Sequence, residues 1–438
     1  MFPNPQDALP LPSRPDIEQY KKLAKDLLRV AKSRDSDSIR KWSATWVNGL
    51  VARTRVDIPL PPARIESWIR GVAAFAADKL SHGGNLSHAQ FVIARSHGFP
   101  SWPRFARYIR NTVNTESAEG QFEAAADAIV TGDIESLRRL LHSNPELVHM
   151  RSSREHHATL LHYVSANGVE GYRQKTPKNI VDIAGVLLQS GADVDAAADV
   201  YDGNCTTLGL VATSVHPQAA GVQEPLMQLL LDHGASMNGP GLAGHQSPLV
   251  LACFHNGQPQ AAGFLADHGA PLDLEAAAGV GRLELVKSFF DADGRLKPPA
   301  TARQLQNGFL WACECGRDDV ALFLLDRGAD PTDPADTGAT ALHWAAGAAD
   351  VALVKLFIER GALLEVRNRW GGTVLEHAGH GFEHGPADID FVPTFEILLA
   401  AGAQIRGAWL KWLGSVNTRS SAEKERLAEV LRHYGAVE

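Results

Sequence analysis

The chain has 438 residues, of which 45% are apolar and 21% charged, enough to bury more than one core and to fold in water. No apolar run reaches the roughly 18 residues of a bilayer span, and the stretch from Met1 to Pro15, with five prolines and no apolar core, does not read as a secretory signal. The net charge of −8 hides an asymmetry: residues 1–115 hold 18 Lys and Arg against 9 Asp and Glu, whereas residues 116–438 hold 24 against 41. That split predicts a basic domain over 1–115 and an acidic one over 116–438, which either attract each other or serve different partners. Four scattered cysteines, Cys205, Cys253, Cys313 and Cys315, suit a reducing cytoplasm better than a disulfide framework.

In chain order, Asp16–Lys32 carries Ile17, Tyr20, Leu23, Ala24, Leu27, Leu28 and Ala31 at helical spacing. A second helix is predicted over Ile65–Leu80, after Pro59, Pro61 and Pro62. The stretch Leu86–Ile109 predicts two more, the first capped by Ser87 and running through Arg95, the second capped by Ser101. His97-Gly98-Phe99-Pro100 forms the turn between them. Two helices joined by a short glycine turn in a basic segment invite a helix-turn-helix reading, with Arg95, Arg104, Arg107 and Arg110 as a phosphate-facing edge. The alternative is a helical cap on the remainder of the chain, with Trp102 and Phe105 as core anchors.

After residue 120 one phrase recurs, an apolar helix end followed by Gly-Ala. It stands at Gly191, Gly234, Gly269, Gly328, Gly361, Gly402 and Gly435, with a degenerate copy at Gly294. The spacings are 43, 35, 25, 34, 33, 41 and 33. A second phrase comes after most of these glycines: Thr159-Leu160-Leu161-His162, Ser247-Pro248-Leu249-Val250, Thr340-Ala341-Leu342-His343 and Thr373-Val374-Leu375-Glu376. Together they resemble the ankyrin repeat, with its T-P-L-H phrase and period near 33, over roughly residues 121–438. The resemblance implies an all-α solenoid of about seven to eight helix-turn-helix repeats with hairpin fingers, preceded by a small helical domain. The physics fits the spelling: Thr or Ser caps each first helix, the glycine ends the second in the left-handed conformation, and stacked neighbours bury what one repeat cannot. His162 and His343 then bridge backbone groups. The phrase from Ala89 to Arg95, with Gly98-Phe99-Pro100-Ser101-Trp102, is similar to a helical module found ahead of bacterial ankyrin arrays.

The array is irregular. From Thr340 to Gly361, and from Asn307 to Gly328, a repeat is short and regular, whereas Tyr172–Asn179, His216–Pro225 and Phe382–Pro393 are extra residues between paired helices. Insertions of this kind, projecting from one edge, either mark a binding face or reflect drift in exposed turns. The segment Asp273–Gly294 lacks a finger and a Thr start, so a short compact repeat is expected there.

His377, His380 and His384, with Glu376 and Glu383, are the densest set of potential metal ligands, but Gly379, Gly381 and Gly385 predict a loop from Gly381 onward. No metal, cofactor or catalytic residue is expected, because no phosphate-binding loop, nucleophile elbow or zinc-protease motif is present. In ankyrin repeats the residue after the His position faces the concave side, which here implies a row of Tyr163, Leu210, Leu251, Trp311, Trp344 and His377. Phe254 and Glu314 lie one turn further on, His380 is three residues after His377 on the same predicted helix and could share its face, and Arg367, Arg369 and Trp370 form a fingertip. An exposed aromatic row is where binding energy concentrates, so Tyr163, Phe254, Trp311, Glu314, Trp344, Arg367, Arg369, Trp370, His377 and His380 are the candidate partner-binding residues. Three functions are compatible with these features: a scaffold that holds a protein partner in the groove, a nucleic-acid-associated regulator acting through residues 1–115, or an enzyme or small-ligand receptor built on the aromatic groove. No membrane partner is implied.

Overall fold

The computed structural model describes residues 7–12, 15–33, 35–52, 62–81, 83–112, 116–201, 203–238, 248–334 and 338–436. It is all-α, and among the described residues the only sheet is a hairpin of two two-residue strands, Ala197–Ala198 and Cys205–Thr206. The chain groups into two compact units, Met1–Ala243 and Gly244–Glu438. No helix among the described residues is long and apolar enough to cross a membrane.

The first unit opens with five helices, Ile17–Ala31, Ser36–Val51, Pro62–Leu80, Leu86–Ser96 and Trp102–Thr112. They pack around Tyr20, Leu27, Val47, Trp68, Val72, Phe99 and Phe105. Asp16 caps the first by accepting from the Glu18 amide at 2.9 Å. Asn85, not Ser87, caps the fourth: its side chain accepts from the His88 amide, and the His88 ring answers the Asn85 amide. Asn and Ser are equally good caps in a sequence pattern, so the pattern did not discriminate between them. The Ser36–Val51 helix has no counterpart in the sequence reading, because Ser38, Thr45, Asn48 and Gly49 blur its apolar face. Helix pairs come next: Ala118–Thr131 with Ile134–Ser143, the 3-10 turn Leu160–Ser165 with Ile180–Gln189, and Thr207–Ala212 with Gln223–Asp232. The boundary expected at residues 115 and 116 lies inside this unit. Arg95 is paired with Glu155 and Arg154 donates to the His97 carbonyl at 2.9 Å, so basic and acidic segments are joined there.

Among the described residues the second unit contains six successive helix pairs. They are Pro248–His255 with Pro259–Asp267, Leu274–Val280 with Leu283–Ser288, Ala302–Glu314 with Asp318–Asp326, Ala341–Gly347 with Val351–Glu359, Val374–His384 with Val392–Ala400, and Trp409–Ser415 with Ser421–His433. From the second pair to the fifth, first helices pack on first helices, and the second helices of the last three pairs pack on one another. One continuous apolar core runs from Leu274 to Leu431. The glycines read as helix terminators all adopt the left-handed conformation, with φ of 95° at Gly191, 96° at Gly328 and 101° at Gly402. Thr340 and Thr373 cap their helices through His343 and Glu376; Ser247 lies outside the described residues.

Three expectations need correction. The repeat placed from Asn307 starts at Thr301, which forms a capping box with Gln304, so Asn307 sits inside the Ala302–Glu314 helix. The Val374–His384 helix continues through Gly379 and Gly381 rather than breaking; a Cβ on Gly381 would come within 2.2 Å of the Gly347 carbonyl oxygen, so the glycine serves close helix packing. The extra residues at Tyr172–Asn179 and Phe382–Pro393 do not simply project. Arg173 is buried in an ion cluster, and Phe382 and Phe391 are core residues held by the Arg419 guanidinium. The short repeat at Asp273–Gly294 is as expected, with Asp273 capping its first helix by accepting from the Ala276 amide at 2.9 Å.

Candidate functional site

The row predicted to face a groove is built differently in the two units. In the first unit Tyr163 is fully buried, and so is nearly all of Leu210. The Tyr163 ring lies against Phe122 and under the Arg173 guanidinium. Around it Glu170 takes Arg154 at 2.5 Å, His156 at 3.4 Å and Arg173 at 3.6 Å, while Glu123 takes Arg173 at 2.7 Å and Arg154 at 3.6 Å. Burial pushes the Glu170 carboxyl up, but Arg154, Arg173 and His156 outweigh it and hold the group well below the ordinary range. Tyr163 therefore offers no surface to a partner, because its position is filled by the neighbouring pair.

In the second unit Leu251 is buried and Phe254 and Trp311 nearly so. The Phe254 and Trp311 rings stack 5.3 Å apart at 24°. The short repeat permits this: a Cβ on Gly279 would come within 2.6 Å of Phe254 and 3.2 Å of Trp311, so only glycine lets the flanking repeats touch. The Trp311 indole donates to buried Glu275 at 3.0 Å. Phe254 and Trp311 are thus core, not an exposed row. Glu314 is half-buried, and burial pushes its carboxyl up to about 8.

Further along the accessible surface returns. Trp344 and His377 are half-buried, with rings 5.0 Å apart and perpendicular. Burial, with His343 and His380 nearby, pulls His377 down to about 4, so it is neutral at pH 7. Exposed His380 lies between the rings of His377 and His384. Among the described residues no three His, Cys, Asp or Glu side chains converge as a metal site. The fingertip stands out to solvent, with Arg367 and Arg369 exposed and Trp370 68% exposed. It is nonetheless rigidly built: Asn368 accepts from the Trp370 and Gly372 amides at 3.1 and 3.0 Å, and Gly371 has a φ of 83°. Arg367 lies 3.7 Å from Glu376, so the fingertip joins the Val374–His384 helix.

That helix forms one wall of a cavity of about 300 Å³, lined by Glu376, Gly379, His380, Glu383, Arg406 and two tryptophans, Trp409 and Trp412. The tryptophan rings meet edge to face at 5.2 Å, and the Trp412 indole donates to Glu383 at 2.9 Å. A Cβ on Gly379 would come within 3.1 Å of Trp409. The sequence reading missed this pair; the signal was Trp409 and Trp412 three apart, on one helix face.

The elements of the N-terminal basic edge separate in the structure. Arg104, Arg107 and Arg110 are exposed on the Trp102–Thr112 helix, whereas Arg95 is half-buried in its pair with Glu155.

Comparison with known proteins agrees with the helix-pair architecture. A family model for ankyrin repeats matches residues 274–368 in three copies. No curated protein matches the chain.

Proposed function

We propose that this chain is a protein-binding scaffold whose partner lies against the last repeats, on the surface running from the Arg367–Trp370 fingertip to the Trp409–Trp412 cavity. Ankyrin repeats are generally protein–protein interaction modules, and three copies lie at 274–368. The observation that carries the reading is Trp370. A tryptophan 68% exposed on a rigid turn, with the Arg369 guanidinium 5.5 Å from its ring, keeps a large apolar face in water at a cost that binding would recover. The fully buried Tyr163 and the nearly buried Phe254 and Trp311 support the stack beneath rather than the contact. Four cysteines scattered along the chain suit a cytoplasmic setting. The test is affinity between the full-length chain and a purified, re-expressed partner. Trp370→Ala should weaken binding by roughly thirtyfold, the scale of one hot spot; an unchanged dissociation constant would sink the fingertip as the contact.

Arg104, Arg107 and Arg110, exposed on one helix, favour a second reading, in which the basic N-terminal segment, residues 1–115, contacts nucleic-acid phosphates. Binding of a duplex oligonucleotide by the full-length chain should then fall steeply with salt, as released counterions require. Absence of binding at low salt removes this reading.

A further inference from the structure

The cavity between the Val374–His384 and Trp409–Ser415 helices has a chemistry of its own. Its lining includes two perpendicular indole rings, Trp409 buried and Trp412 half-buried, and two carboxylates. Glu383 uses Oε2 to accept the Trp412 indole N–H, and Glu376 uses Oε2 to accept the Thr373 amide. Among the described residues no hydrogen bond or ion pair is made to Oε1 of either carboxylate. Among the described residues the one permanent cation on the lining is Arg406, which is already held by Glu365 at 3.2 Å and by Gln404. Glu376 and Glu383 are seven residues apart, two turns or about 10.5 Å along the helix, so one cation engages one carboxylate and feels the field of the other. The cavity lies in the acidic part of the chain, where 41 Asp and Glu face 24 Lys and Arg.

Resting on the scaffold reading above, we propose that this cavity receives the guanidinium of an arginine side chain presented by the protein partner, stacked on the half-buried Trp412 ring, with the perpendicular Trp409 ring behind it, and paired with Glu383. An anion is disfavoured by both carboxylates, and a purely apolar group would bury the free Oε1 atoms without a partner. The planar guanidinium satisfies both needs, since it stacks on aromatic faces and presents a fork of donors to a carboxylate. A lysine ammonium has the charge but not the flat face. The neutral state of His377, and of His380, which burial pulls down from its ordinary value, keeps the lining free of further positive charge at pH 7.

The probe is N-acetyl-arginine amide, titrated into the full-length chain labelled with 5-fluorotryptophan. The Trp409 and Trp412 fluorine resonances are assigned by Trp409→Phe and Trp412→Phe. Both should shift saturably while the other tryptophans stay fixed. N-acetyl-citrulline amide, isosteric and uncharged, should shift neither. Glu383→Gln, whose amide oxygen still accepts the indole N–H, should weaken binding by roughly tenfold, the scale of one charge-assisted hydrogen bond, with the remaining resonances reporting an intact fold. Equal binding of the citrulline amide, undiminished binding to Glu383→Gln, or no saturable shift would each overturn the proposal; a lysine amide binding as tightly would overturn the choice of guanidinium. A partner that still binds Glu383→Gln but not Trp370→Ala leaves the scaffold standing and removes the pocket. A probe that binds when Trp370→Ala costs the partner nothing does the reverse.

Discussion

The first and second units solve the same packing problem with opposite chemistry. At the Tyr163 position the first unit gathers two buried arginines, a buried histidine and a buried glutamate, with half-buried Glu123, around a tyrosine. At the corresponding position the second unit stacks Phe254 on Trp311 across a repeat trimmed to glycine and alanine, and leaves Glu314 half-buried with a raised carboxyl. A buried ion cluster contributes little net stability when compared with apolar residues of the same shape, yet losing one member is costly, because the remaining charges stay buried. An aromatic stack degrades gradually instead. The difference predicts where each unit is brittle.

The largest effect is expected in the first unit. Arg154→Met removes a guanidinium that neutralises Glu170 and Glu123 and donates to the His97 carbonyl. It should cost about 3–5 kcal/mol, measured by urea unfolding of the full chain with pulse proteolysis reporting each unit. A loss below about 1 kcal/mol would mean that water reaches the cluster, and the contrast would fail.

Trp311→Phe keeps the stack on Phe254 but deletes the donor to buried Glu275. Glu275 keeps Asn307 at 3.3 Å, so the cost should be that of one hydrogen bond to a carboxylate, about 1.5–3 kcal/mol, and should be confined to peptides of the second unit. A melt identical to wild type would show that Glu275 finds another donor.

The pH responses should be opposite. Glu314 binds its proton more tightly in the folded state, so the stability it contributes is complete below its unfolded value near 4.5 and is lost as pH rises through about 8. Glu170 has a folded pKa held well below its unfolded value, so its contribution is present above 4.5 and is lost as pH falls further. Acidification from about pH 8 to about pH 6.5 should therefore strengthen the second unit, before His377, held down at about 4, begins to oppose the Glu314 gain at lower pH, and stronger acid should open the first. Glu314→Gln should flatten the first dependence. Unfolding midpoints of each unit across this range check both signs, and parallel behaviour of the two units would contradict them.

The smallest effect on stability is expected at the fingertip. Trp370→Ala should change the unfolding free energy by no more than about 0.5 kcal/mol, as for other exposed sites, while changing partner affinity. A clear drop in melting temperature would mean that the exposed ring supports the finger.

Much of this architecture was legible in the chain. The recurrent glycines required the left-handed conformation, and Thr340 and Thr373 stood where free amides needed an acceptor, so helix ends and repeat phase came from local chemistry alone. His162 bridges backbone groups as expected, its Nδ1 taking the Thr159 amide at 3.1 Å and its Nε2 meeting the Cys205 carbonyl at 3.3 Å, whereas His343 shows the first half of that pattern, its Nδ1 taking the Thr340 amide at 3.1 Å. What local pattern does not encode is which residues a neighbour covers. Trp311 and Trp344 occupy equivalent positions in consecutive repeats, yet only Trp311 is buried, because Gly279 and the alanines beside it draw Phe254 onto it. Gly381 read as a helix breaker and proved to be a close-contact residue, since the carbonyl of Gly347, from another repeat, sits where its Cβ would be. The cavity between Trp409, Trp412 and Glu383 joins residues from two successive repeats. Sequence determined the left-handed turns that close the second helices and the Thr340 and Thr373 caps, because such turns and caps are decided within a few residues; only the tertiary stack decided which aromatic rings face water, because burial belongs to the neighbour as much as to the residue.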